Sequence, residues 1–519
     1  MRHAMESHSI RALTILALAL AGCPSANDDD SAAAPDPTPP AWPAPDAWGG
    51  TTGPGGPTQQ FAPNQLWEGC AFLNGGEEDS DHHNLVVPWD GYLLMPWAPE
   101  YSVGGISFFD MSDPCDPVKV GEGFDGDMRE THSVGFRHYE GRDYVAVNYH
   151  GGIDFDLGEM QGGVQIWDIT DVADPFVVAE VHVPGYLYPD SYQRVTLSLS
   201  WAGPWIYVAS ADNGVHVIDA TDPRAPEFVA QYTFEPVLRL GTFHVMGNVA
   251  MAASAEGSRT VMMDVSDPTD PQPLPGGEFD VTDDDGVPRE YYFANLGGSW
   301  ALFARKEGGG GAIVYDVSDP TNPTRVGHGA SPGNGGYVFL QHETVFVGES
   351  SFAGIYDFSD PANVTTIGTA GLPGDLDTAT PLGNLVILAV DDDSMPDQAT
   401  SVVPWREEPD SRGPTVGMSS PRDGETFAAL TSRIGVSFDE MVEPKSVFAG
   451  SFRVATADGW PVDGWFTAQE NLVNFAPKEP LAPDTTYVVT VPAGGITDFF
   501  GNPTSVEYTV RFSTGATVE

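Results

Sequence analysis

The amino-acid sequence predicts an all-β protein built from many short strands, and three observations carry this prediction. The chain of 519 residues contains 59 glycines and 45 prolines, a content that favours frequent turns over long helices. Short apolar runs with strand character recur along most of the chain, and no helical periodicity is long enough to displace them. One turn sequence follows such a run in six successive segments. The length predicts two or three folded units.

The chain is strongly acidic, with 22 basic and 74 acidic residues and a formal net charge of −52. A surface of this charge repels phosphate backbones, so we expect no nucleic-acid partner. Much of the acidic excess falls in turns, where aspartate has a local structural use. The charge alone therefore does not identify a ligand. We expect no cofactor, with weak calcium binding left open.

Residues 1–22 have the pattern of an export signal. Arg2 and Arg11 provide a basic start, and the apolar run 12–21 is too short to span a bilayer comfortably. The run ends in Leu-Ala-Gly-Cys, which resembles the lipobox of bacterial lipoproteins. This resemblance implies cleavage before Cys23, lipid attachment to Cys23, and a membrane anchor in the cell envelope, with the outer membrane or cell surface favoured. The alternative is a plain secretory signal with an incidental cysteine.

Residues 23–63 predict a disordered tether, because they are rich in Ala, Pro, Asp, Gly and Thr and almost free of large aliphatic side chains. Two cysteines remain after this segment, Cys70 and Cys115. In an exported protein an even pair more often forms a disulfide than a metal site. The bond would fix the entry segment to the first repeat.

The repeated turn sequence is best written at Ala312–Pro323, which reads AIVYDVSDPTNP. Its copies lie 41 to 58 residues apart, a period that suits one four-stranded propeller blade. A seventh, weaker copy spans residues 384–416. Residues 64–410 therefore predict a β-propeller of seven blades, with six or eight left open. Each of the six clear copies has two aspartates: Asp110 and Asp113, Asp168 and Asp171, Asp219 and Asp222, Asp264 and Asp267, Asp316 and Asp319, Asp357 and Asp360. The pattern resembles the LVIVD repeat family of bacterial surface propellers.

These repeated aspartates are interpreted as turn residues. The second aspartate of each copy can accept backbone N–H groups in an Asx turn, and in most copies a proline follows it and fixes the chain direction. The first aspartate ends the strand and is expected to cap nearby amides. A catalytic group is needed once per site, whereas this pair recurs once per blade. We therefore expect the repeat to be architectural.

Residues 411–519 predict a second domain, a β-sandwich, from alternating strands such as TYVVTV (486–491) and turn signals about every ten residues. The signatures SFDEMVEP, PLAPDTTYVVTV and ITDFFGNP resemble the bacterial immunoglobulin-like domain of surface-layer and adhesin-type proteins. The resemblance implies a spacer or adhesion unit. We identify no catalytic constellation within it.

Candidate metal or catalytic residues are few. The cluster Asp81, His82 and His83 could bind a metal ion or serve as a general base, and His132 could line a central channel with His83. Two acidic loops could bind calcium through Asp283 and Asp285, and through Asp391 and Asp393, although neither has EF-hand spacing. The sequence contains no HExxH or CxxC motif.

Two functional hypotheses follow from these patterns. The first is a lipid-anchored, monomeric, non-enzymatic module for binding, adhesion or scaffolding, whose partner is an envelope protein or glycan. The second is a metal-dependent propeller hydrolase or lactonase with His83, His132 and nearby acids at the channel mouth. The first is favoured because the repeats lack a unique catalytic set.

Overall fold

The structure is a computed structural model that describes residues 38–44, 50–56, 59–75, 85–98, 104–126, 128, 131–154, 159–186, 197–390 and 398–516. Every strand described below lies in one compact unit, residues 40–519. Within the described ranges, no helix is both long and apolar enough to cross a membrane. The predicted signal, Cys23 and residues 24–37, 45–49 and 57–58 of the predicted tether lie outside the described residues.

Seven antiparallel four-stranded sheets, numbered here as blades one to seven, follow one another along the chain. Blade one contains β2 (Val87–Trp89), β3 (Tyr92–Trp97), β4 (Gly104–Asp110) and β5 (Val118–Asp125). Blade two contains β6 (Val134–Tyr139), β7 (Arg142–Asp154), β8 (Glu159–Asp168) and β9 (Phe176–His182). Blade three contains β10 (Ser198–Ala202), β11 (Trp205–Ala209), β12 (Val215–Asp219) and β13 (Glu227–Tyr232). Blade four contains β14 (Leu240–Met246), β15 (Val249–Ser254), β16 (Arg259–Asp264) and β17 (Gln272–Asp280).

The remaining three blades have the same strand order. Blade five contains β18 (Tyr291–Gly297), β19 (Trp300–Arg305), β20 (Gly310–Asp316) and β21 (Thr324–Ser331). Blade six contains β22 (Val338–Gln341), β23 (Thr344–Gly348), β24 (Ala353–Asp357) and β25 (Thr365–Ala370). Blade seven contains β26 (Thr378–Leu382), β27 (Leu385–Ala389), β28 (Thr400–Pro404) and β1 (Ala71–Leu73), which is added from the N-terminal side.

Apolar packing between neighbouring blades closes the seven sheets into a ring. One core cluster joins blades one and two, where Val87 and Leu94 meet Val145 and Trp167. Similar clusters join every later pair of blades. The last cluster joins blade seven back to blade one. The central strands of a propeller are buried on both faces, which explains their continuous apolar sequences. The ring of seven sheets confirms the predicted seven-bladed propeller.

The ring is closed by β1, which pairs antiparallel with β28 as the fourth strand of blade seven. Cys70, just before β1, forms a disulfide with Cys115 in the turn before β5. The expected disulfide is therefore present, and it links blade seven to blade one. The sequence predicted that residues 401–416 form the turn region of the seventh copy. That prediction did not include β1 as the fourth strand of blade seven. Those residues continue into the second domain, whose first strand begins at Val416.

The second domain is a sandwich of two antiparallel sheets around its own core, in which Val436, Phe452 and Phe475 are fully or almost fully buried. One sheet contains β29 (Val416–Ser420), β30 (Ile434–Phe438), β33 (Leu472–Pro477) and β32 (Gly464–Gln469). The other contains β31 (Arg453–Thr456), β34 (Thr486–Val491) and β35 (Tyr508–Ser513). Short 3-10 turns lie at Pro63–Gln65, Pro361–Asn363 and Pro444–Ser446.

The sandwich is joined to the propeller by main-chain pairing. Strand β32 pairs antiparallel with β6, so that Thr467 faces Arg137 and Ala468 faces Phe136, and the two sheets form one eight-stranded sheet. A spacer that extends freely from the propeller would not share a sheet with it. The immunoglobulin-like domain is therefore docked on the ring.

Candidate functional site: the central channel and its two faces

The propeller has two different faces. Because strands alternate in direction, the hairpin turns between first and second strands lie on the same face as the turns between third and fourth strands. We call this the turn face. The opposite face, the loop face, carries the connections between second and third strands and the connections from one blade to the next. Gly298 and the corner aspartate Asp319 belong to the turn face, whereas Asp212 and Asp375 belong to the loop face.

The acidic corners lie on the turn face, and both aspartates of each corner accept backbone N–H groups. In blade five, Asp316 Oδ1 accepts from Ser318 N at 2.8 Å, and Asp319 Oδ1 accepts from Thr321 N at 3.1 Å. The equivalent pairs of bonds recur in all six clear copies. The corners lie one in each of blades one to six, at the turn between the third and fourth strands. Their geometry is that of two consecutive Asx turns.

The sandwich covers the turn face by binding its hairpin turns. Glu443 Oε1 accepts from Asp90 N at 2.7 Å and Oε2 from Gly91 N at 3.2 Å. Further around the ring, Asn474 Oδ1 accepts from Gly247 N at 2.7 Å, and the Phe438 carbonyl accepts from Gly298 N at 2.6 Å. Backbone N–H groups in a buried turn need hydrogen-bond acceptors. Each of these side-chain or carbonyl oxygens supplies the acceptor that water would supply if the turn face were uncovered.

The sandwich also contacts blades two and three. Lys445 pairs with Asp143 beside the hairpin turn of blade two, and Thr467 Oγ1 accepts from Gly203 N at 3.1 Å in blade three. Glycine is required at several of these turns because the sandwich approaches too closely for a side chain. A Cβ at Gly247 would lie 2.5 Å from the Ser420 carbonyl oxygen, and φ at this position is +61°.

The tip of the β32–β33 hairpin reaches the central channel. Gln469 Nε2 donates to the Leu199 carbonyl at 2.9 Å, and its Oε1 accepts from Trp201 N at 3.3 Å, both on the first strand of blade three. The next residue, Glu470, has φ +51° and accepts a hydrogen bond from Asn295 Nδ2 at 2.7 Å. The sandwich thus inserts a carboxyl group into the channel from the turn face.

The channel is narrow, and both polar and apolar side chains line it. Its lining comes from the first strands of blades two to six and from the sandwich, and includes His132, Ser198, His244, Phe293, Asn295, Tyr337 and Glu470. Burial lowers the pKa of His244 to about 4, so its imidazole is neutral near pH 7. Burial raises the pKa of Glu470 to about 7, opposed by the hydrogen bond from Asn295.

Only some of the sequence candidates come together in the structure. His132 does line the channel, where its ring lies 5.2 Å from Phe293 and 6.1 Å from Tyr337. Within the described ranges, His132 belongs to no group of three potential metal ligands. Asp81, His82, His83, Asp391 and Asp393 lie outside the described residues.

The acidic loop with Asp283 and Asp285 is not arranged as a set of calcium ligands. Asp283 Oδ1 accepts from the amides of Asp285 and Val287 at 3.0 Å, and its Oδ2 accepts from Arg289 Nε at 2.6 Å. The first carboxylate is thus occupied by donors of its own loop, while Asp285 is exposed. These contacts lower the pKa of Asp283 against the opposing effect of burial, which is the largest single contribution.

Sequence reasoning missed His244, Asn295 and Glu470 as channel residues. His244 and Asn295 each interrupt an apolar first strand, a weak signal that could have marked them as inward-facing. Glu470 gave no signal, because its position in the channel depends on how the second domain docks.

The fold and channel define a class: a seven-bladed propeller with a β-sandwich docked on its turn face. Family models match both parts. The model described as the LVIVD repeat matches residues 194–233, which contain blade three, and the model described as the bacterial Ig-like domain matches residues 410–514. Both resemblances are confirmed. The chain therefore contains an LVIVD repeat within its propeller, followed by a bacterial immunoglobulin-like domain.

Solved structures with a similar fold come from distant proteins. A candidate 6-phosphogluconolactonase from Bacteroides fragilis has 10% identity and a TM-score of 0.41, covering 56% of this chain and 84% of its own. A protein from Lactobacillus plantarum has 11% identity and a TM-score of 0.42, covering 58% and 95%. A β-propeller domain from Myceliophteria thermophila has 11% identity and a TM-score of 0.43, covering 64% and 98%. At these TM-scores no functional argument follows. A search of curated proteins found no match.

Proposed function

We propose that the protein is a non-enzymatic binding or scaffold module of the bacterial cell envelope, anchored by lipid on Cys23. The observation that carries this proposal is the continuous sheet between blade two and the immunoglobulin-like domain. Because that domain occupies the turn face and reaches the channel, the loop face is the broad propeller surface left for a partner. A disc held rigidly in this way suits the presentation of a binding surface rather than turnover.

The loop face is expected to recognise its partner partly by charge. Asp212, Glu290 and Asp375 are exposed on it and come from three different blade connections. An acidic surface favours partners that carry positive groups and speeds their association at low ionic strength. An envelope protein with a basic patch, or a glycan with free amino groups, has the matching chemistry.

The binding role is tested with the folded chain from residue 24 onward, immobilised and exposed to outer-membrane proteins and to purified peptidoglycan from the producing bacterium. The triple variant D212K/E290K/D375K should lose binding at least tenfold. The double variant E479K/E507K, which changes exposed acids of the immunoglobulin-like domain, should bind as the unchanged chain does. Loss of binding in the second variant and not in the first would contradict the proposal.

The anchor and the absence of catalysis are tested separately. Labelled palmitate should enter the full chain and not its C23S variant, which should move from the membrane fraction to the soluble one. Hydrolysis of lactone or ester substrates by the purified chain, abolished by H132A, would favour the hydrolase hypothesis and contradict the binding role.

A further inference from the structure

A buried cluster of His342, Asp410 and Glu440, called here the His342 cluster, lies where the propeller meets the immunoglobulin-like domain. His342 is in the hairpin turn of blade six, Asp410 follows blade seven, and Glu440 follows β30. The three residues are only 8%, 5% and 4% exposed. One potential ligand atom from each residue lies within 4.8 Å of the others. Three separate segments therefore bring metal-ligating groups to one point.

Each member of the cluster has a buried atom that lacks a hydrogen-bond partner in the described part of the chain: His342 Nε2, Asp410 Oδ2 and Glu440 Oε1. The His342 Nε2 atom lies 3.6 Å from Glu440 Oε1, beyond hydrogen-bond distance. Buried polar atoms are nearly always satisfied in folded proteins. One shared ligand would satisfy all three atoms.

The surroundings of His342 orient its ring for ligation. Its Nδ1 atom lies 3.1 Å from Asp439 Oδ2, so the imidazole donates there and leaves the Nε2 lone pair directed toward the cluster. Asp439 is itself held by Thr415 N, which donates to Oδ1 at 2.7 Å. A carboxylate behind a metal-binding histidine is the usual arrangement that fixes the tautomer and ring orientation.

The hairpin turn of blade six has a backbone conformation that glycine also fits. His342 has φ +56°. The residues at the equivalent position in blades three, four, five and seven are Gly203, Gly247, Gly298 and Gly383, with φ between +59° and +65°, and those in blades one and two are Asp90 and Glu140, with φ +51° and +50°. A residue with a Cβ in this region is strained relative to glycine. Replacing His342 by glycine should therefore leave the turn intact.

The charges of the cluster also fit a cation. Four carboxyl groups lie together with two guanidinium groups, namely Asp410, Asp439, Glu440 and Asp498 with Arg406 and Arg412. Arg412 is shared further with the exposed Glu343. The carboxyl groups outnumber the guanidinium groups at this buried place, and a divalent cation would be a favourable partner for them.

We propose that the His342 cluster binds one divalent first-row metal ion, with Zn²⁺ as the best match, and that this ion fastens the immunoglobulin-like domain and the interdomain linker to blade six. One imidazole nitrogen and two carboxylate oxygens are a ligand set of the kind that Zn²⁺ takes, with water completing the shell. Calcium prefers six to eight oxygen ligands, which three residues with one nitrogen supply poorly.

The test uses the folded chain from residue 24 onward, treated with a chelator and then titrated with ZnSO₄ by calorimetry, with metal content measured after gel filtration. The unchanged chain should bind one Zn²⁺ per molecule, and its midpoint of thermal unfolding should rise by several degrees. Parallel titrations with MnCl₂ and CaCl₂ should show weaker binding of Mn²⁺ and no stoichiometric binding of Ca²⁺.

Two glycine variants separate metal binding from folding. H342G removes the ligand at a turn where glycine suits the backbone, so the variant should fold, lose Zn²⁺ binding at least 100-fold and lose the rise in midpoint. E140G makes the same backbone change in blade two, where φ is +50°, and should bind Zn²⁺ unchanged. D439N should weaken binding 10- to 100-fold.

The proposal is overturned if the chelator-treated chain takes up no stoichiometric Zn²⁺. It is also overturned if H342G binds Zn²⁺ as tightly as E140G does, since the ion would then lie elsewhere on the acidic surface.

Discussion

At the scale of single residues, the aspartates of the repeat act on the main chain beside them. In the corner of blade six, Asp360 Oδ1 accepts from Ala362 N at 3.2 Å and Oδ2 accepts from Asn363 Nδ2 at 2.8 Å. Asp360 is also the N-cap of the 3-10 turn Pro361–Asn363. Such local bonds explain why the residue type recurs once per blade without any shared chemistry.

Replacing Asp360 by alanine should lower the free energy of unfolding by about 1 kcal/mol, because the turn loses its capping acceptor. D360N keeps an oxygen for Ala362 N and should lose only a few tenths of this amount. Urea unfolding measures both. D285A, which removes an exposed acid outside the corners, is the control. A loss of unfolding free energy in D285A as large as that in D360A would contradict the turn role.

Glu470 is predicted to make stability depend on pH. Burial raises its pKa from 4.5 to about 7 in the folded chain. The folded state therefore holds the proton more tightly than the unfolded state, and this contribution is complete below about pH 4.5 and is lost as pH rises through 7. E470Q stays neutral, so its free energy of unfolding should exceed that of the unchanged chain increasingly with pH, by about 3 kcal/mol above pH 7.

Urea unfolding of both chains at pH 5, 6, 7 and 8 measures this difference. E479Q changes an exposed glutamate of the same domain and serves as the control. A difference between E470Q and the unchanged chain that stays constant from pH 5 to pH 8 would mean that Glu470 is not buried in the channel.

At the scale of elements, the closure of the ring depends on a very short strand. Strand β1 has three residues and makes three register pairs with β28. Its sequence, AFL, is too short to give a periodic signal, and its partner lies more than 300 residues away. The repeating strands and corners could be predicted from sequence because each blade repeats the same local pattern. That the last strand comes from the N-terminal side could not be predicted from sequence, since it depends on a single pairing between distant residues.

Removing the Cys70–Cys115 bond should destabilise the closure. The bond spans 45 residues, and the chain-entropy model gives a loss of about 4 kcal/mol for C70S/C115S in urea unfolding. A chain that starts at residue 76 lacks β1 as well and should not unfold cooperatively, whereas one that starts at residue 40 should behave as the full chain does. An unchanged midpoint for the chain from residue 76 would show that β1 does not close the ring.

At the scale of the whole molecule, the propeller and the immunoglobulin-like domain act as one body. The contacts that join them come from single side chains such as Glu443, Gln469 and Asn474, which follow no sequence period. The His342 cluster likewise joins residues 30 and 68 positions apart. Both domains could therefore be predicted separately, while their docking and the buried sites it creates could not. Sequence patterns report local structure, and this interface is entirely non-local.

Amide hydrogen exchange measured by mass spectrometry tests the docked arrangement most directly. Peptides that contain the hairpin turns at Asp90–Gly91, Gly247 and Gly298 should stay protected for hours in the full chain, because their amides bind the immunoglobulin-like domain. The loop-face connection 371–377 should exchange much faster, and E443Q should increase exchange at Asp90–Gly91 alone. Exchange at the hairpin turns as fast as at residues 371–377 would contradict the account.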